Sequence, residues 1–134
     1  MPAGLPVPKA KRRILVVDDE RVISDTMAVI LNQAGFEARA VLSGKNAIKT
    51  LESFTPDVLL CDVIMPEMNG IELALKMRHL VPGCRILLFS GQAATSTLLE
   101  EAKAQGHEFE ILAKPIHPSE LLQKLRNKDE ATAI

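Results

Sequence analysis

A chain of 134 residues with 47% apolar side chains has room for one domain around one good core. Its formal charge of −1 and pI of about 6.3 exclude bulk electrostatic attraction to nucleic acid or membrane. Four Phe without Trp or Tyr leave no aromatic platform for single-stranded nucleic acid.

No apolar run reaches the roughly 18 residues of a membrane span, and no secretory signal is visible. Cys61 and Cys84 fall in apolar runs and lack a C-x-x-C partner. They read as buried reduced thiols in a cytoplasmic protein.

Residues 1–12, with three Pro, one Gly and a basic end, read as a disordered leader. Arg13-Ile14-Leu15-Val16-Val17 is a β-branched apolar run that ends in Asp18-Asp19, hence a first strand with two acids at its carboxyl edge. A helix follows over 21–34, with Ile23, Met27, Ile30, Leu31 and Ala34 as its inward stripe. Gly35 then stands where a helix stops. Residues 36–42 alternate as a second strand near a sheet edge, and Ser43 is placed to cap a second helix.

The segment from Pro56 to Gly70 carries Val58-Leu59-Leu60-Cys61 straight into Asp62. A short apolar run bounded by Pro and Asn-Gly is a strand buried on both faces. A third helix carries Leu73, Met77 and Leu80 and stops near Pro82-Gly83. A fourth strand, 85–89, ends in Ser90-Gly91. Gln92 to Thr97 reads as a polar lead into a fourth helix, which Gly106 ends. A fifth strand over 109–113 ends in Lys114-Pro115. Pro118 suits the first turn of a fifth helix, and residues 128–134 read as a frayed tail after a domain spanning 13–127.

Five strands alternating with five helices imply a parallel α/β sheet covered on both faces. Its strand ends carry Asp18, Asp19, Asp62, Ser90 and Lys114. Each alone is an ordinary turn or capping residue. Together they lie on the sheet edge where ligands bind in such folds. Three converging carboxylates repel by roughly 4 kcal/mol per pair at about 4 Å and an effective dielectric near 20. One of them protonates, or a cation sits between them; hard oxygen donors suit Mg²⁺.

In these residues the chain resembles the receiver domains of bacterial two-component response regulators. The resemblance rests on the Asp18-Asp19 pair after I-L-V-V, the D-V-I-M-P-E-M-N-G run from Asp62, Ser90, and Lys114-Pro115. It implies a flavodoxin-like (βα)5 three-layer sandwich of strand order 2-1-3-4-5. It also implies that Asp62 accepts a phosphoryl group from a histidine kinase or a phosphotransfer protein, with Mg²⁺ as cofactor. Asp19 and Asp62 resemble direct metal ligands, Asp18 one acting through water, and Ile64 the residue lending a backbone carbonyl. Ser90 resembles the switch hydroxyl and Lys114 the phosphate-contacting lysine, joined to Pro115 by a cis bond. On this reading the chain is a signalling module, not a turnover enzyme. Its output partner is unspecified, and it binds neither nucleic acid nor membrane itself.

Two positions depart from the family pattern. The switch aromatic three residues before the lysine is replaced by Ile111, with Phe109 the nearest aromatic. Apolar Ile64 stands two residues past the acceptor, where polar side chains help place water. His79, His107 and His117 are scattered and read as surface residues. A haloacid-dehalogenase-like aspartyl phosphatase needs D-x-D after its first strand, where this chain has Asp18-Asp19-Glu20. A flavodoxin needs a phosphate loop there, which two acids oppose. A degenerate receiver acting only as a binding module would have lost one of these acids or the lysine.

Overall fold

The computed structural model describes residues 11–91 and 93–133, with side-chain surroundings for all of these but 93–95 and 127–133. Residues 1–10 of the leader expected over 1–12 lie outside them. The elements alternate without exception: β1 (Arg13–Val17), α1 (Arg21–Gln33), β2 (Glu37–Val41), α2 (Gly44–Thr50), β3 (Val58–Asp62), α3 (Gly70–Leu80), β4 (Arg85–Ser90), α4 (Ala93–Ala104), β5 (Glu110–Ala113) and α5 (Pro118–Ala133). All strand pairs are parallel, in the order β2-β1-β3-β4-β5. This is the flavodoxin-like sandwich expected from the resemblance.

Period-two alternation divides the core into two layers. Leu15, Val17, Leu59, Cys61, Ile86 and Leu88 face one way and pack with Ala47, Leu73, Ala74, Met77 and Ala102 of α2, α3 and α4. Ile14, Val16, Val58, Leu60, Leu87 and Phe89 face the other way, with Leu31 of α1 and Leu121 and Leu125 of α5. β3 is buried along its whole length, so its apolar run needs no polar face.

Helix ends follow local chemistry. After α1 the Gly35 N–H donates to Asn32 O and the Phe36 N–H to Leu31 O. Gly35 has φ 101°, the left-handed turn that ends a helix at glycine. Gly106 (φ 88°) ends α4 the same way, with the His107 N–H donating to Ala102 O. The Ser43 hydroxyl accepts from the Asn46 N–H at 3.1 Å. Asn69 and Glu72 form a reciprocal capping box at the start of α3.

Three features differ from expectation. α4 begins at Ala93 rather than after Thr97, because the alanines there favour helix more than the nearby hydroxyls oppose it. α5 continues to Ala133 through the segment read as a tail. On α1 the fully packed residues are Ser24, Ala28 and Leu31, while Ile23, Met27 and Ile30 are only half-buried. Small side chains let that helix approach the sheet closely.

Candidate functional site

The strand parity that builds the core also builds the site. Asp18 continues the series Ile14, Val16; Asp62 continues Val58, Leu60; Lys114 follows Leu112. All three therefore emerge on the face covered by α1 and α5, at the carboxyl edge of the sheet. Ser90 continues the opposite series, Ile86 and Leu88, and so shares the α4 side with Ile111.

Asp18 is fully buried and Asp62 is 8% exposed, whereas Asp19 is exposed. The Lys114 ammonium lies 2.8 Å from Asp62 Oδ2 and 3.5 Å from Asp18 Oδ2. The remaining oxygens are held by backbone: the Glu20 N–H donates to Asp18 Oδ1 at 2.9 Å, and the Ile64 N–H donates to Asp62 Oδ1 at 3.3 Å. One carboxylate oxygen from each of Asp18, Asp19 and Asp62 lies within 4.8 Å of the others.

Burial pushes the Asp18 carboxyl above its ordinary range, against the Glu20 N–H and the Lys114 charge, which pull it down. Burial also opposes the Lys114 charge, but the hydrogen bond and charge of Asp62, together with Asp18, outweigh it and raise the lysine above its usual value. Cys61 precedes Asp62 on β3 and faces the opposite core layer. Burial, then the charges of Asp62 and Asp18, push its thiol far up, so it is an inert neighbour.

Glycines permit two close approaches. A Cβ at Gly70 would stand 2.2 Å from the carbonyl oxygen of Asp62, and the Gly70 N–H donates to Val63 O at 2.8 Å. The start of α3 is thus pressed against the end of β3. At Gly91 a Cβ would meet the Lys114 Cβ at 2.9 Å, so the bare backbone leaves room for the lysine to cross toward Asp62. The Lys114–Pro115 peptide bond is cis.

The acids open into a pocket of about 670 Å³ lined on its polar side by Asp19, Glu20, Asp62 and Lys114. Its other walls are apolar and include Ile23, Met27, Ile64 and Ile116. Ser90 closes β4, and its neighbours Phe89 and Gly91 line the pocket. Ile111 pairs with Leu88 and packs, half-buried, on the α4 side. Phe109 packs there too, under the Arg78 guanidinium 4.1 Å from its ring centre. Of the histidines, His79 and His117 are exposed and His107 half-buried. His117 accepts the Ser119 N–H at the start of α5.

Sequence reasoning missed the wall. Ile23 and Met27 read as core, and Ile116 and Glu20 drew no notice. No local pattern marked them, since Met27 and Ile116 also pack against the core.

Three acids against one ammonium leave excess negative charge, and all the offered donors are hard oxygens, so the cluster fits a divalent cation such as Mg²⁺. A family model described as the response regulator receiver domain matches residues 14–126. The chain is 30% identical over 115 residues to the chemotaxis protein CheY of Thermotoga maritima, covering 85% of this chain and 94% of that protein. It is 27% identical over 125 residues to the DNA-binding response regulator MtrA of Mycolicibacterium smegmatis. That match covers 90% of this chain but 54% of the relative, about half its length. Among solved structures, a CheY-like receiver domain protein from Methanospirillum hungatei superposes with a TM-score of 0.79 at 29% identity, covering 90% of this chain and 96% of that one.

Proposed function

This chain belongs to the response regulator receiver domains, and from that premise we propose that Asp62 is the carboxylate its two-component system phosphorylates. The donor is the phosphohistidine of a kinase or phosphotransfer protein. The observation that carries the proposal is the convergence of Asp18, Asp19 and Asp62, with the Lys114 ammonium 2.8 Å from Asp62. The haloacid-dehalogenase alternative loses ground to a family match running from β1 into α5.

In this reading an Asp62 oxygen attacks phosphorus in line, and the phosphorus–nitrogen bond to the donor imidazole breaks. Lys114 exchanges the Asp62 oxygen for an incoming phosphoryl oxygen. Asp19, Asp62 and Asp18, with the Ile64 carbonyl, would hold Mg²⁺. When bound, the ion neutralises charge on the carboxylates and the transferring group. Glu20 and Ile64 orient the acids through their N–H groups.

A donor protein must cover a surface continuous with the pocket. An apolar groove of about 290 Å³ between α1 and α5 shares Ile23, Met27 and Ile116 with it and reaches Val22, which is 79% exposed. That continuity supports docking there.

Ser90 answers the phosphoryl group on the α4 side. Ile111 has no pair of buried and exposed aromatic rotamers, so the signal leaves through backbone shifts of β4, α4 and β5. The test uses acetyl phosphate or beryllofluoride with Mg²⁺. With acetyl phosphate the parent should gain one phosphoryl mass, and with either reagent its NMR resonances should shift around Ser90 and along α4. Asp62→Ala should do neither. Incorporation that persists in the variant would refute the assignment, and an unmoved α4 would refute the route.

A further inference from the structure

The pocket over Asp62 is lined by apolar side chains as well as by charged ones, and an in-line attack brings the departing group among them. In an in-line displacement the leaving group lies opposite the nucleophile. With Asp62, Asp19 and Lys114 gathered at the end of the sheet, the leaving group projects toward the open mouth. The apolar side chains lining that pocket include Ile23 and Met27 of α1, Ile116 before α5, and Ile64. Ile64 is 45% exposed, so its apolar surface stands in water until something covers it.

Resting on the assignment of Asp62 above, we infer that this wall is a leaving-group subsite that selects small acyl phosphates carrying aliphatic chains longer than acetyl. The step balances without a proton. An Asp62 carboxylate oxygen bonds to phosphorus, and the phosphorus–oxygen bond to the acyl group breaks. Its electron pair departs on a free carboxylate, which needs no general acid. The wall suits the alkyl tail of such a donor, whose methylenes gain apolar contact while the departing carboxylate stays toward the polar lining of the same pocket. A donor with a polar substituent in place of the alkyl chain would be desolvated there without a hydrogen-bonding partner.

The linear series acetyl, propionyl and butyryl phosphate isolates the effect. The three leaving carboxylates are nearly equal in basicity, so only the apolar area placed against the wall changes. Second-order rate constants for phosphorylation of the full chain, with Mg²⁺ and followed by intact mass, should rise along the series. A gain of about fourfold from acetyl to butyryl is expected, the factor for one fully buried methylene spread over two half-covered ones. Ile64→Ser and Ile23→Ser should each bring the butyryl-to-acetyl ratio toward one; Ile64, being half exposed, can be changed without disturbing the core.

A flat or falling series in the parent, with normal incorporation from acetyl phosphate, overturns the subsite alone. A ratio unchanged in both variants does the same. No incorporation from any of the three donors, or equal incorporation in Asp62→Ala, overturns the Asp62 assignment and the subsite with it.

Discussion

At the scale of single residues, the proposed role of Asp62 makes its neighbour Ile64 a test of how long a phosphoryl group there lasts. The carboxylate is held between the Ile64 N–H and the Lys114 ammonium, which leaves it oriented but accessible. The Ile64 side chain, two positions on, lines the pocket and offers water nothing to bind. An acyl phosphate on Asp62 should therefore persist. Ile64→Asn is expected to hydrolyse it about fivefold faster, equivalent to about 1 kcal/mol of barrier, in a dephosphorylation time course after donor removal. Equal rates would exclude Ile64 as a screen. The place of Asp62 at the end of a wholly apolar run was legible in the sequence, and it gained meaning only beside Asp18, Asp19 and Lys114. Ser90 was legible as a strand end but not as belonging to the α4 face, because its side depends on the register of β4 against its neighbours.

At the scale of elements, the loop from β3 to α3 is where local chemistry positions the site. Asn69 and Glu72 cap the helix reciprocally, and Gly70 lets its first turn rest on the Asp62 backbone. Gly70→Ala places a methyl group against main chain that cannot move without moving Asp62. A loss of about 1–3 kcal/mol is expected from overpacking, read from urea unfolding, together with slower phosphorylation by acetyl phosphate. A variant as stable and reactive as the parent would show that this approach is not needed. The Asn-Gly pair was visible in the sequence as a turn. That the glycine serves contact rather than a left-handed conformation emerged only with α3 in place. The apolar stripe on α1 was similarly half legible: its period specified a helix, but not that Ile23 and Met27 pass beyond the sheet to wall the pocket.

At the scale of the whole molecule, the thiols make stability fall in alkali. Burial, then the charge of Asp57, pushes the Cys84 thiol up to about 12 from an ordinary value of 9.0, against a Leu59 backbone hydrogen bond and the Arg12 charge. A folded-state value above the unfolded one means that the native chain holds the proton more tightly. The contribution is therefore fully present below about pH 9 and is lost as pH rises toward 12. Cys61 and Lys114 are shifted in the same direction and add to the loss. Cys84→Ala should flatten the decline of unfolding free energy between pH 9 and 12. An unchanged slope would mean that the thiol ionises equally in both states.

The order of apolar runs, breakers and strand-end acids was enough to establish alternating strands and helices, a parallel sheet and which polar residues close its strands. These are one-dimensional properties, written in periodicity and in residue type. Which face each acid takes, how Lys114 crosses Gly91 to reach Asp62, and which apolar residues enclose them were decided by tertiary structure. The reason is physical: strand parity relative to a neighbour, the close approach of two backbones and the overhang of a helix past a sheet are relations between segments far apart in the chain, and no local pattern encodes the distance between them.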